Sequence, residues 1–596
     1  MARYRMASFL LAALFAMALA PAQATRAHLP RELAFPLEPG AAAARLRSGE
    51  ATRSEIGSGN TVTADPPVPR PAGAPCVAKL FTNATFAQYA PQTFAYTPPA
   101  GCPGPFAKIV FNADLSVSAG RQFDRTASVE LANVPLYFGT TAEPRRTLAP
   151  FWHVERDVTD DAALLAVPQS GEADIFNIVN ATYTGVITAS AYLQFYPASA
   201  AVPAAGTPDI VLPVPNAAGG PQHLPTGTSS LSATYALPMN VERAYLDVYA
   251  QSQQTDEQYF LCAPTDIAAQ LAALCPNTAF RETEISIDGR AAGVAPVYPW
   301  IFTGGLDPYL WAPLPGVQTL EFIPYRVDLT PFAATLANGK THTIALAVDK
   351  ANNYFQGFAT LFAYVDHGSK RVTGALLRDT LAANPVPKVV ENVTGTPPSV
   401  NGTVGVTDSR NYEIDGYVNT SHGRVATSLS ASVNFGNQQQ YSNQSATTGT
   451  IVANQTATAA TTVITRGSRG TSVRNSFSSY PLSVSLATVL DASITGTQRT
   501  NIDQQFLEVQ SEAGSGGNFA RVVSNDVTPS DILDIANGAI SGHAKQQSVQ
   551  RYAVFDTRGT CYTQTLTAAN SVLTGVSNGP CDRTSAQRLL RSLGRH

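Results

Sequence analysis

Between residues 186 and 196 the chain alternates apolar and polar side chains: Ile187, Ala189, Ala191, Leu193 and Phe195 on one side, with Thr188, Ser190 and Gln194 between them. A period of two marks a strand with one buried face. The pattern returns at Ala244, Leu246 and Val248 and at Ile344, Leu346 and Val348. Strands with one wet face must cover their apolar side with a second layer, so the expected architecture is a β-sandwich.

At 596 residues the chain is long enough for several such units. Three Pro-rich stretches, at residues 58–75, 197–225 and 384–398, read as linkers or extended connections, because proline supplies no ladder donor. They divide the chain into a leader (25–75), a first module (76–210), a second module (226–383), a connection (384–400) and a C-terminal β-rich domain (401–596). In that last region residues 425–515 are dense in Ser, Thr, Asn, Gln and Val, with alternation at Leu429, Ala431, Val433 and Phe435 and at Leu482, Val484 and Leu486. A short helix is expected over Thr265–Leu274, where Thr265 or Asp266 would cap an Ala/Leu run.

Arg3 and Arg5 precede an apolar run from Phe9 to Leu19, and Ala22-Gln23-Ala24 follows as a small-x-small cleavage site. That is the pattern of a secretory signal peptide over residues 1–24, and the run is shorter than the ~20 residues a membrane helix needs. The expectation is a secreted or periplasmic protein without a membrane span. Six cysteines fall in three neighbouring couples, Cys76 with Cys102, Cys262 with Cys275 and Cys561 with Cys581. Nearest-neighbour disulfides are the simplest of the possible connectivities. No CxxC or HxxxH spacing occurs and the histidines are scattered, so no metal is expected; phosphate loops and nucleophile elbows are also missing, so no cofactor is expected. Charged residues are 14% and the net charge is −4, without a basic stripe, which disfavours a nucleic-acid partner.

Three runs then stand out: Gly120-Arg121-Gln122-Phe123-Asp124-Arg125, Thr141-Ala142-Glu143-Pro144, and Trp152-His153-Val154-Glu155-Arg156-Asp157-Val158-Thr159. Tyr183-Thr184-Gly185, Phe280-Arg281-Glu282, and Ile301-Phe302-Thr303-Gly304-Gly305 before Leu310-Trp311 follow in order. In this order and spacing they resemble the peptide-N4-(N-acetyl-β-glucosaminyl)asparagine amidase A family, strongly over residues 105 to 370. The resemblance implies a mainly β fold of two tandem jelly-roll modules plus the C-terminal domain. It also implies hydrolysis of the amide joining asparagine to N-acetylglucosamine in N-glycosylated peptides or unfolded glycoproteins, by a monomer without metal or cofactor. The alternative class is a lectin-like sandwich that binds glycans without cleaving them.

An amide is a poor electrophile, so its hydrolysis needs a base for water, a proton for the departing nitrogen and donors for the oxyanion. Phe123-Asp124-Arg125 is also similar to the aromatic-Asp-Arg motif of the flavobacterial peptide-N-glycosidase, whose aspartate is essential; this implies that Asp124 is catalytic. That family's two glutamates fall near Thr182 and Asn277 here, so Glu282 and Glu257 are the further carboxylate candidates. Arg121, Arg125, Glu143, Trp152, Trp300 and Trp311 are the expected substrate-binding residues. Each has a plainer reading: an ion pair on a strand edge for Asp124, a solvated strand face shared with Glu284 for Glu282, an acidic turn for Glu257, core packing for each tryptophan. Strand alternation would place Gln122, Asp124 and Thr126 on one face and Arg121, Phe123 and Arg125 on the other. Asp157 or Thr159 is expected to cap a short helical turn running to Leu165.

Overall fold

The computed structural model describes residues 55–581, apart from 145–146, 216–218, 397–398, 446 and 516. The expected signal peptide, 1–24, lies outside the described residues, as do leader residues 25–54. The protein is built from β-strands, and its first unit holds eight: β1 (Cys76–Phe86), β2 (Gln92–Tyr96), β3 (Phe106–Val117), β4 (Thr126–Leu131), β5 (Val134–Thr140), β6 (Phe151–Asp157), β7 (Gln169–Ile175) and β8 (Ile187–Pro197). They form two antiparallel sheets in the orders β1-β8-β3-β6 and β2-β7-β4-β5. That pairing is a jelly roll, two interleaved Greek keys. The alternation read from the sequence is real in β8: Ile187, Ala189, Ala191, Leu193 and Phe195 are buried and the residues between them half-buried.

The second unit repeats the topology with β9 (Ile210–Val214), β10 (Gln222–Thr226), β11 (Ser230–Tyr235), β12 (Val241–Ser252), β13 (Glu282–Ile287), β14 (Arg290–Pro296), β15 (Tyr325–Asp328), β16 (His342–Asp349) and β17 (Asn352–Val365). Its sheets run β10-β17-β12-β15 and β11-β16-β13-β14, and β9 also pairs with β17. β9 and β10 share one edge of β17 end to end, β9 along Ala359–Ala363 and β10 along Asn352–Gly357. Part of the Pro-rich stretch 197–225 is thus strand, a correction with a physical reason: an edge strand leaves one side unpaired, and Pro213 and Pro225 are tolerated there. β12 also departs from the expected wet face. Its last nine residues are all buried, because the outer face of its sheet packs on the first jelly roll, where Tyr245, Phe362 and Val211 join that module's apolar core.

The third unit is one long antiparallel meander: β18 (Thr373–Asp379), β19 (Lys388–Thr396), β20 (Ser399–Thr420), β21 (Gly423–Gln444), β22 (Thr448–Gly467), β23 (Gly470–Leu490), β24 (Gly496–Gly514), β25 (Gly517–Ala536), β26 (Ala539–Asp556), β27 (Cys561–Ala569) and β28 (Val572–Ser577). Strands from β20 onward pair in sequence order, while β18 and β19 take successive stretches of the free edge of β20. The sheet therefore begins at Thr373, ahead of the expected boundary at 401. Its buried face is continuous with the core of the second jelly roll: Leu246, Ile285, Phe302, Val404, Tyr480 and Val523 belong to one apolar cluster.

The expected helix over Thr265–Leu274 is a set of turns instead. The Cys262–Cys275 disulfide holds its flanking Cα atoms 4.5 Å apart, whereas a ten-residue helix would separate its ends by about 14 Å. The other two expected disulfides, Cys76–Cys102 and Cys561–Cys581, are also formed. The short helical segment Thr159–Ala166 has Val158 at its N-cap rather than the expected Asp157 or Thr159, and Asp157 Oδ1 accepts the Thr159 amide (3.1 Å) from one residue earlier.

The segment before β1 is packed as a strap across all three units. The Val62 amide donates to Pro313 O (3.0 Å), the Ala64 amide to Gln550 Oε1 (2.7 Å), and the Arg70 guanidinium grips Glu155 with two bonds of 2.7 Å. Val62 and Ala64 are buried.

Under the connection between the modules lie three carboxyls, Glu130 on β4 with Glu172 and Asp174 on β7. Ser128 Oγ donates to Glu130 (3.1 Å). Burial raises the Glu130 carboxyl to about 8 and Asp174 to about 6, each further raised by the neighbouring acids. A folded-state value above the unfolded one means that the native protein binds more protons than the unfolded chain. Stability is then fully present below the ordinary carboxyl value of 4.5 and lost as pH rises toward about 8. We expect a melting temperature a few degrees higher at pH 5 than at pH 8. Glu130→Gln should flatten this slope; an unchanged slope would remove Glu130 as its source.

Candidate active site

Asp124 lies in the connection between β3 and β4, just ahead of Thr126, rather than in a strand as expected. Tertiary bonds set its path: the amides of Thr184 and Gly185 donate to Arg121 O (2.8 and 3.1 Å), and the Arg125 amide donates to Thr141 Oγ1 (2.9 Å). Strict alternation fails as a result. Gln122 turns inward and is 3% exposed, and its Oε1 accepts Arg125 Nη2 (2.6 Å), two side chains that alternation would have put on opposite faces.

The second module reaches this loop through the long connection between β14 and β15. Its far end docks on β5: the Thr140 amide donates to Thr319 O (3.0 Å), the Phe322 amide to Phe138 O (2.8 Å), and Tyr137 Oη to Leu320 O (2.7 Å). At the near end Thr303 Oγ1 donates to Thr141 O (3.1 Å) and accepts the Glu143 amide (2.9 Å). Next to it, the Gly304 amide donates to Asp124 Oδ2 (3.2 Å). A Cβ on Gly304 would strike Glu143 Oε2 and stand 3.1 Å from Asp124 Oδ1, so two half-buried carboxylates converge on one glycine at the joint between the modules. Gly59 and Thr61 of the strap, with Glu143, Thr303 and Trp311, line a narrow crevice at this place.

Beside Asp124 is a patch of rings and guanidinium groups. Phe123 and Tyr183 pack at 5.3 Å, Arg121 lies 5.6 Å from the Tyr183 centroid, and Arg125 lies within 6.0 Å of the Phe123, Tyr183 and Tyr89 rings. Arg121 and Tyr89 are exposed. Nothing in the local sequence pointed to Tyr89, which comes from a turn far from the motif.

The other expected site residues are placed differently. Glu282 is not on a solvated face: it is 3% exposed on β13 and bonded to Arg410 Nη1 of β20 (2.6 Å), which also reaches Glu284 (3.3 Å). Burial raises the Glu282 carboxyl to about 7 and Arg410 opposes the shift, an arrangement that joins two sheets. Glu257 follows the helical turn Gln254–Asp256, on the loop whose Gln253 Nε2 donates to Thr126 Oγ1 (2.9 Å), two residues beyond Asp124. Trp152 and Trp300 are core residues, 2% and 3% exposed, so neither offers a ring face to a sugar. Trp311 is also buried, but it edges the crevice beside Glu143, with Nε1 donating to Gly305 O (2.9 Å). His153 bridges Asp114 (2.8 Å) and Glu155 (3.2 Å), and these partners raise it to about 9 against the effect of burial. A roomier hollow of about 500 Å³ lies elsewhere on the first module, lined by Pro98, Pro103, Phe106, Ala162, Phe195 and Asp209, and brings no pair of carboxylates together.

The large sheet holds the site loop from behind. Gln504 of β24, fully buried, accepts the Val317 amide at Oε1 (2.8 Å) and donates Nε2 to Pro299 O (2.7 Å), closing the loop that carries Gly304. Tyr309 stacks on His543 at 3.8 Å. Gln504→Ala would strand a buried amide and a buried carbonyl, at about 1–3 kcal/mol for each unsatisfied group. We expect lower stability and, because Gly304 loses its support, slower turnover at unchanged substrate affinity; turnover equal to the parent protein would show that the loop holds itself.

The model of the peptide N-acetyl-beta-D-glucosaminyl asparaginase amidase A family matches residues 66–385, more than half of the chain. The chain belongs to this family. A relative from Prunus dulcis, peptide-N4-(N-acetyl-beta-glucosaminyl)asparagine amidase A, is 26% identical over 548 residues, covering 88% of this chain and 93% of that one. Among solved structures, PNGase F from Flavobacterium meningosepticum is 15% identical, covering 49% of this chain and 96% of that one, with a TM-score of 0.34. PNGF-II is 13% identical over 49% of this chain and 65% of that one, also with a TM-score of 0.34. The family match takes in both jelly rolls and every residue of the amidase A motifs around Asp124, Glu143 and Gly304. The three disulfides are consistent with an oxidising compartment. Among the described residues no helix is long and apolar enough to cross a membrane.

Proposed function

We propose that this protein is a secreted or periplasmic glycoamidase that hydrolyses the bond between an asparagine side chain and N-acetylglucosamine, releasing whole N-glycans from glycopeptides or unfolded glycoproteins. The observation that carries this reading is Asp124, fixed by the Gly304 amide at the joint of the two jelly rolls in a member of the amidase A family. In the reading Asp124 acts as general base, taking a proton from the water that attacks the amide carbon; an ionised carboxylate is an acceptor that a main-chain N–H can orient. Arg121 and Arg125, with Phe123, Tyr183 and Tyr89, supply flat apolar faces beside hydrogen-bond donors, which suits a pyranose with its C–H patches and equatorial hydroxyls. A folded acceptor would be obstructed at a site on the joint between two modules, so peptides or unfolded acceptors are the substrates of this reading, and the chain would act as a monomer without cofactor.

The test is to incubate the protein with a defined N-glycopeptide and weigh the products. Peptide carrying aspartate in place of the glycosylated asparagine is the expected result. Peptide that keeps one N-acetylglucosamine would mean glycosidic cleavage and would sink the amidase reading.

A further inference from the structure

We infer that Glu143 is a second catalytic carboxylate of the site and the partner of Asp124, an inference that rests on the amidase reading above. Three independent placements meet at this residue. Its main chain is fixed by Thr303 Oγ1 of the other module at 2.9 Å. Its Oε2 occupies the place a Cβ of Gly304 would take, and the same Cβ would stand 3.1 Å from Asp124 Oδ1. The residue also lines the small crevice shared by Trp311 and the strap residues Gly59 and Thr61. Glycine at 304 is therefore what lets the two carboxylates face one point, and a serine or alanine there would push Glu143 away.

Glu282 is committed to Arg410 across the sheet interface, and Glu257 follows the turn Gln254–Asp256, where the bond to the first module is made by Gln253 on Thr126. The chemistry needs a base for the attacking water and an acid for the departing nitrogen, roles that two neighbouring carboxyl groups can divide. Water adds to the side-chain carbonyl carbon as its proton passes to Asp124. The carbon–nitrogen bond then breaks as the Glu143 carboxyl gives its proton to the nitrogen. The products are a peptide carboxyl and a glycosylamine. The proton gained by Asp124 returns to Glu143, a short transfer between groups that share one glycine, and no metal or redox partner is required.

The experiment compares kcat and KM across pH for the full chain and for Glu143→Gln, Glu143→Asp, Glu257→Gln and Asp124→Asn on one N-glycopeptide, with melting temperatures and glycopeptide binding measured in parallel. Glu143→Gln is expected to lower kcat by about 10²–10³-fold, with KM within about threefold and one limb of the pH profile lost. Glu143→Asp should recover part of the rate, and it carries the test if the Gln variant does not fold. A Glu257→Gln loss larger than that of Glu143→Gln would move the proton donor to Glu257 and overturn the pairing. An active parent whose Glu143→Gln variant keeps kcat within tenfold, or loses only KM, overturns the pairing while leaving the amidase reading intact. A parent protein that cleaves no amide overturns both.

Discussion

Asp124→Asn is expected to leave a folded protein that still binds glycopeptide and releases essentially no glycan. Loss of a positioned general base typically lowers turnover by about 10²–10⁴-fold. The substitution is nearly isosteric, and an asparagine Oδ1 can still accept the Gly304 amide that Asp124 Oδ2 accepts at 3.2 Å, so the loop keeps its anchor. What disappears is the capacity to take a proton. Product mass and a binding isotherm, measured with a melting curve, separate the outcomes. Retained turnover within tenfold of the parent would move the chemistry to another carboxylate, and loss of binding together with turnover would make Asp124 a recognition residue.

A second large effect, on stability, is expected at Asp256. This carboxylate is 1% exposed and its partner Arg281 is fully buried. Asp256 Oδ1 accepts Arg281 Nη2 (2.6 Å) and Nε (3.2 Å), while Oδ2 accepts the amides of Asn352 (2.6 Å) and Tyr354 (3.2 Å). Arg281 Nη1 is spent on the carbonyls of Phe280 (2.6 Å) and Thr278 (2.9 Å). Burial lowers the Arg281 pKa and the Asp256 charge opposes that. Asp256→Ala leaves a buried guanidinium without its counter-charge, and losses of this kind run to about 3–5 kcal/mol. Denaturant unfolding should show that loss, and Asp256→Leu with Arg281→Met should restore part of it, because an apolar pair leaves no charge stranded. A loss below about 1 kcal/mol would mean that water reaches Arg281 in the variant. The consequence extends to the site, since Asp256 anchors the loop whose Gln253 supports Thr126.

The residues that were legible in the sequence are those whose signal is local. β8 could be read because its buried and half-buried residues alternate along one strand, and the disulfides because each pair closes a short loop. Asp124 and Glu143 stood out through the motifs around them. Their meeting at Gly304 did not, because Gly304 is 180 positions from Asp124 and arrives on a connection that docks only once both jelly rolls exist. The same reason hid Gln504, one polar residue among many on a Gln- and Ser-rich sheet, and Arg281, whose neighbour Glu282 drew attention instead.

The sequence by itself determined the β class, the two-layered units, the pairing of cysteines and the family motifs, since period, spacing and motif are properties of neighbouring residues. Only the tertiary structure decided which Pro-rich stretches are edge strands, that residues 59–70 form a strap, and that the polar C-terminal sheet shares a core with the second jelly roll. It also decided that Glu282 and two tryptophans are buried while Glu143 stands beside Asp124. Those outcomes depend on which faces are covered, and coverage is fixed by the packing of elements far apart in the chain.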